Sequence, residues 1–247
     1  MNTRSIAFAG FKALTLSVLA FSAQAASFIN NGGFEFNGGN GQVGSVTTLT
    51  GWTLPAPSDS YTFVFDGNAD TTGANGQYGG ISLWGPNNGS ANDLTVSPDG
   101  GYYVAMDSAF QNNGPLAQTI TGLTAGSTYT VGFYYAGAQQ KDYTGATTDY
   151  WKVGFGTQYQ NTTTLNIASK GFSGWNYASL SFVANASSEV LSFLAIGSPA
   201  GVHPFALLDG VNVTSTPTST PIPGAIFFVA PALAGVFGFS RRKQNKA

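Results

Sequence analysis

The sequence predicts an all-β protein: one β-sandwich of jelly-roll type, flanked by two targeting segments. Three observations carry this. Between residues 26 and 213 apolar side chains recur with a period of two, in short runs bounded by Gly, Asn, Asp, Ser and Thr. No segment of that region shows a 3.6-residue apolar repeat. The composition is that of strands and tight turns: 33 Gly, 19 Phe, 11 Tyr and 4 Trp in 247 residues, with only 8% charged residues.

The strands follow in order. Ser60 to Phe65 alternates cleanly. Asp66 to Gly101 is dense in Gly, Asn, Asp and Ser and reads as long loops, with one short strand at Ile81–Trp84. Tyr102–Met106 and Leu116–Ile120 come next, and then Thr128–Tyr135, the strongest strand signal in the chain. Tyr150–Phe155, Thr163–Ile167, Tyr177–Val183, Glu189–Ile196 and Phe205–Val213 complete the set. Nine or so short strands without a fixed repeat favour a sandwich over a propeller or solenoid.

The two ends read differently. Residues 1–25 carry Arg4 and Lys12, an apolar run from Ala13 to Phe21, and Ala23-Gln24-Ala25 as a small-residue cleavage site. That is a secretory signal peptide, cut before Ala26. Residues 214–221 form a Thr/Ser/Pro linker. Residues 222–239 are 18 uncharged residues, long enough for one transmembrane helix, and the basic tail 240–247 holds it by the positive-inside rule.

Charge excludes one large class of function. Between 26 and 220 only Lys141, Lys152 and Lys170 stand against all 11 acidic residues. A body with a balance of −8 and no basic stripe does not bind nucleic acid. Zero Cys removes disulfides, thiolate metal sites and a Cys nucleophile, and a single histidine, His203, removes a multi-His zinc site. There is no Gly-x-Ser-x-Gly elbow, and His203, beside Pro204 at a strand start, reads as a turn residue. The expectation is a non-catalytic protein. A hydrolase, with two carboxylates brought together in space, is the distant alternative.

The C-terminal arrangement resembles the PEP-CTERM sorting signal of exopolysaccharide-producing Gram-negative bacteria. Its residues are Pro221-Ile222-Pro223-Gly224-Ala225, the apolar stretch, and Arg241-Arg242-Lys243. Ile222 stands where the usual signal has Glu, as in a Pro-Ile-Pro variant. The resemblance implies an exosortase-type processing enzyme as partner. It also implies an inner-membrane-anchored precursor and a final place at the cell surface or in the extracellular matrix. The body resembles galactose-binding-like sandwiches through a series of landmarks. These are Asn30-Asn-Gly-Gly-Phe-Glu35 with Gly51-Trp52, then Gly101-Tyr-Tyr-Val-Ala-Met-Asp107. Leu116-Ala-Gln118-Thr-Ile with Leu123-Thr-Ala-Gly126-Ser-Thr-Tyr129 follows, and Trp175 and Leu208-Asp209 close the series. That fold includes carbohydrate-binding modules and bacterial surface proteins.

Two sets of candidate residues follow. The galactose-binding-like resemblance implies one structural Ca²⁺ held by Glu35 and Asp209, with Asp107 as a weaker third; a hard cation takes carboxylate and carbonyl oxygens. For a sugar, stacked on an aromatic face, the loop residues Tyr78 and Trp84 and the strand residue Trp151 are the candidates, whereas Trp52 and Trp175 are read as core. The leading reading is an exported surface or matrix protein associated with exopolysaccharide. The alternative is a carbohydrate-binding module with a defined glycan.

Overall fold

A computed structural model describes residues 28–55, 60–71, 73–110 and 114–215. The expected signal peptide, the expected transmembrane helix, the basic tail and the expected sorting residues Pro221, Pro223, Arg241, Arg242 and Lys243 lie outside the described residues. Thirteen strands are present among those described: β1 (Gly41–Gln42), β2 (Thr62–Phe65), β3 (Ala74–Gly76), β4 (Gly79–Ile81), β5 (Tyr103–Asp107), β6 (Leu116–Thr121), β7 (Thr128–Gln139), β8 (Thr147–Phe155), β9 (Gln158–Asn161), β10 (Leu165–Ile167), β11 (Asn176–Val183), β12 (Ser188–Ser198) and β13 (Pro204–Ser215). No helix is among them.

One sheet has the order β1-β2-β5-β13-β7-β11 and the other β10-β8-β12-β6, with β9 paired to β8. From β5 onward the chain alternates between the sheets: β5, β7, β11 and β13 enter the first, and β6, β8 to β10 and β12 the second. This is the winding of a jelly roll. All strand pairs are antiparallel.

Period-two alternation builds the core between the sheets. Val104 and Met106 of β5, Val131, Phe133 and Tyr135 of β7, and Leu208 and Val213 of β13 face Trp151, Val153 and Phe155 of β8 and Leu191 and Phe193 of β12. A second core lies on the outer face of the first sheet. There Phe63, Phe65, Tyr103, Ala105, Phe205 and Leu207 are covered by Ala69, Ala74, Ile81 and Leu83 of the 66–101 segment. The sequence reads that segment as loops because its glycines mask the β3–β4 hairpin. The short strand expected at Ile81–Trp84 is Gly79–Ile81, followed by a single bridge from Leu83 to Gln140. The linker also starts later than expected: Thr214 and Ser215 still pair with Thr130 and Tyr129 of β7.

Asp149 of β8 is a buried acid in this frame. Its Oδ1 accepts from Ser108 Oγ, and its Oδ2 has no partner. Burial raises its pKa to about 7; the Ser108 bond opposes this and the Asp107 charge adds to it. A raised carboxyl pKa means that the folded chain keeps a proton the unfolded chain releases above about pH 4. Stability from this group is therefore fullest below about pH 4 and is lost as pH rises to about 7. Asp149→Asn is expected to flatten that part of the profile, with the smallest change in melting temperature at pH 4 and a growing difference from the native protein toward pH 7. Thermal melts from pH 4 to 8 check this.

Candidate functional site

Five aromatic side chains gather at one end of the first sheet. Tyr61 precedes β2, Phe110 follows β5, and His203 precedes β13, so adjacent central strands deliver all three to one end. Tyr78 arrives from the β3–β4 hairpin, whose two-residue turn is Gln77-Tyr78. It is 74% exposed. Tyr61, Tyr78, Phe110 and His203 line an open cavity of about 210 Å³. Tyr61 lies 5.7 Å from Phe110, 6.3 Å from Tyr78 and 6.5 Å from His203, ring centroid to centroid. Tyr143 packs on the His203 ring at 4.1 Å.

Polar groups fix this apolar cleft. His203 Nδ1 is 2.6 Å from Asp107 Oδ2, and Asp107 is buried. With Nδ1–H donating to the carboxylate, Nε2 is left as an acceptor for a hydroxyl; a protonated ring would present a donor there instead. Asp107 Oδ1 accepts the Ala109 N–H at 3.0 Å, which holds the turn that carries Phe110. Burial, then the Asp107 charge, pushes the Tyr61 phenol above its ordinary pKa and keeps it protonated. A few polar groups aimed into an aromatic cleft are the general form of a small-ligand site. Ser108, next along the chain, donates to Asp149 rather than to His203, so its hydroxyl is not poised on the imidazole as a nucleophile.

A larger groove of about 350 Å³ lies among Thr147, Thr148, Ile167 and Pro199, but no aromatic or titratable side chain lines it.

The structure separates the three sugar candidates. Tyr78 lines the cleft. Trp151 is corrected: it is fully buried in the main core, and its Nε1–H donates to Leu207 O at 3.0 Å, so it has no face to offer a ligand. Trp84 is also corrected. It is buried, its Nε1–H donates to Tyr143 O at 2.7 Å, and Lys170 Nζ lies 4.5 Å from its ring centroid. It buttresses Tyr143, which packs on His203, and does not form a platform. Nothing local in the sequence brings Tyr61, Phe110 and Tyr143 together, since long loops separate them; the one available signal is Tyr61 in the aromatic run 61–65.

The acids gather further along β13, at its middle. A register shift between Asp209 and Asn212 breaks the β13–β7 ladder. Asp209 is fully buried there; its Oδ1 accepts the Gly210 N–H at 2.7 Å, and its Oδ2 has no partner. Burial raises its pKa to about 8; bonds from Ser97 and Gly210 oppose this, and Asp99 and Glu35 add repulsion. Glu35 is exposed and accepts the Tyr102 N–H at 2.8 Å. Any side chain at Gly101, whose φ is +69°, would collide with the Glu35 carboxylate. Asp99, an acid that the reading of the sequence passes over, sits in the Pro98-Asp99-Gly100 turn against Gly33 and Gly210. Asp107 is not part of this group, because it is paired with His203. An orphan buried carboxylate oxygen with two exposed acids nearby is a donor set suited to Ca²⁺. As they stand, no three acidic or histidine side chains among the described residues are gathered closely enough to hold a metal.

No protein-family model matches the chain. It is 26% identical over 214 residues to halomucin of Haloquadratum walsbyi; the match covers 82% of this chain and 2% of halomucin. Among solved structures it is similar to TmCBM61 in complex with β-1,4-galactotriose (TM-score 0.44, 14% identity, 78% of this chain and 100% of that one). It is also similar to the CBM22-1 xylan-binding domain of Paenibacillus barcinonensis Xyn10C (TM-score 0.38, 8% identity, 79% of this chain and 97% of that one).

Proposed function

We propose that this is a non-catalytic, exported carbohydrate-binding protein whose glycan site is the cleft formed by Tyr61, Tyr78, Phe110 and His203. One observation carries the reading: an open aromatic cleft, on the scale of a single sugar ring, whose imidazole is oriented by a buried carboxylate. Aromatic faces take the C–H side of a pyranose, and His203 Nε2 and the Tyr61 hydroxyl bond its hydroxyls. Glu35, Asp99 and Asp209 are the residues that would hold a Ca²⁺ in this reading, and the ion would there supply charge compensation for the buried Asp209 carboxylate and tie the first loop of the body to its last strand.

The ends of the sequence support export and sorting. In this proposal the signal peptide is removed before Ala26, and residues 222–247 hold a membrane-anchored precursor until an exosortase-type enzyme processes it. The product belongs at the cell surface or in a polysaccharide matrix.

Affinity electrophoresis of the full-length protein in gels containing galactan, xylan or β-glucan tests the site. At least one polysaccharide is expected to retain the protein. Tyr78→Ala and His203→Ala are each expected to weaken that retention tenfold or more. Tyr78 is a surface residue, so its truncation leaves stability within about 0.5 kcal/mol. Unchanged retention in both variants would move the site elsewhere.

A further inference from the structure

We propose a second glycan site, selective for sugars bearing a carboxylate, on the opposite face of the sandwich around Tyr159 and Lys152. The side chains of β8 alternate, so Trp151, Val153 and Phe155 fill the core while Lys152 and Gly154 face outward from the second sheet. β9 folds back on β8 and sets Tyr159 directly opposite Gly154. Tyr159 is 59% exposed.

The floor beside Tyr159 is kept low by small residues. Ser192 of β12 is the partner of Gly154 on its other side, so Tyr159, Gly154 and Ser192 form one row across three strands. A Cβ at Gly154 would lie 2.9 Å from Tyr159 Cε1 and would collide with Ser192 Oγ. Glycine is what lets the phenol ring lie close over the strand. Pro115, Leu194 and Lys152 complete an open pocket of about 180 Å³.

Charge gives the selectivity. The described residues contain three lysines. Lys141 pairs with Asp142 at 3.1 Å, and Lys170 lies over Trp84. Lys152 has no carboxylate partner among the described residues; its Nζ stands 4.6 Å from the Tyr159 ring centroid. Glu189, the acid on β12, is held by the N–H groups of Asn185 and Ala186. An ammonium held over an exposed ring, with no carboxylate partner among the described residues and a hydroxyl nearby, fits a uronic acid, whose carboxylate draws it off the ring face. The sugar's C–H face lies on Tyr159, its carboxylate meets Lys152 Nζ, and a hydroxyl meets Ser192 Oγ. In a body that is otherwise acidic, this lysine gives the sheet face a local affinity that the net charge opposes. With the aromatic cleft on the other outer face, one sandwich could bridge two polysaccharide chains.

Affinity electrophoresis of the full-length protein in polygalacturonate and in alginate gels at low salt tests this. At least one polyuronate is expected to retain the protein, and added salt should weaken retention. Lys152→Gln and Tyr159→Ala are each expected to weaken it at least tenfold, while Tyr78→Ala and His203→Ala leave it unchanged. Both test residues lie on the outer surface, and a thermal melt verifies that each variant is folded. The proposal is overturned if neither polyuronate retains the native protein. It is equally overturned if retention survives both substitutions, or if it is lost in the cleft variants and kept in Lys152→Gln.

Discussion

Replacing Trp151 with alanine is expected to lower the melting temperature by on the order of 10 °C. Truncating a fully buried aromatic costs about 3–5 kcal/mol, through lost transfer free energy and the cavity left behind. A domain of this size loses about 2–4 °C per kcal/mol. The ring packs near Phe193, at 6.2 Å, between the two sheets, which cannot close so large a void. Trp151→Phe separates the two contributions. It keeps most of the packing but removes the donor to Leu207 O, a loss of about 1–3 kcal/mol for a buried group left unpaired. Calorimetry of both variants should rank them alanine, phenylalanine, native. A melting temperature in Trp151→Ala within a degree of native would mean that the residue is not in the core.

Calcium is expected to raise the melting temperature by several degrees at pH 8.5 and to have almost no effect at pH 5. Metal ligands must be deprotonated, so the ion competes with the proton on Asp209. With Asp209 raised to about 8, the metal-free protein carries a pH-dependent loss. Stability from this group is fullest below about pH 4 and is lost as pH rises to about 8, because the buried carboxylate must then ionise without a partner. Bound calcium would supply that partner. At a hundredfold excess over Kd it contributes about 2.7 kcal/mol. Asp209→Asn is expected to abolish the calcium response and to flatten the metal-free pH profile. Glu35→Gln should abolish or weaken the response while leaving the metal-free melt nearly unchanged, since Glu35 is exposed. Melts at pH 8.5 that are indifferent to both chelator and calcium would leave these acids as structural residues.

The strands were legible because alternation is local. Thr128–Tyr135 and Tyr177–Val183 announce a half-buried strand by their own residues, and β7 and β11 pair over those segments. What the alternation could not convey was the second core. Phe63, Phe65, Tyr103 and Phe205 face away from the sandwich interior, and the covering segment 66–101, together with Phe172 and Trp175, buries them. A strand apolar on both faces reads the same whether its outer face meets a ligand or a loop. Trp151 illustrates the same limit from the other side. Beside Tyr150 and Lys152 its parity was undetermined until the pairing with β12 fixed which face was inside. The pairing of Asp107 with His203 joins residues 96 apart in sequence, a separation at which no spacing rule operates. Glu35 and Asp209 could be set near each other only through family landmarks. The orphan oxygen of Asp209 comes from the β13 bulge, which the sequence does not display.

His203 is the one histidine in the chain, so a single imidazole signal in the proton NMR spectrum reports on the cleft. Titrating the protein with soluble oligosaccharides of the galactan, xylan and β-glucan panel and following that signal tests the central claim most directly. One sugar is expected to shift the imidazole resonance saturably, and Tyr78→Ala should weaken the titration at least tenfold. Retention of the protein by a polysaccharide of this panel, with an imidazole signal unmoved at saturation, would contradict the assignment of the glycan site to this cleft.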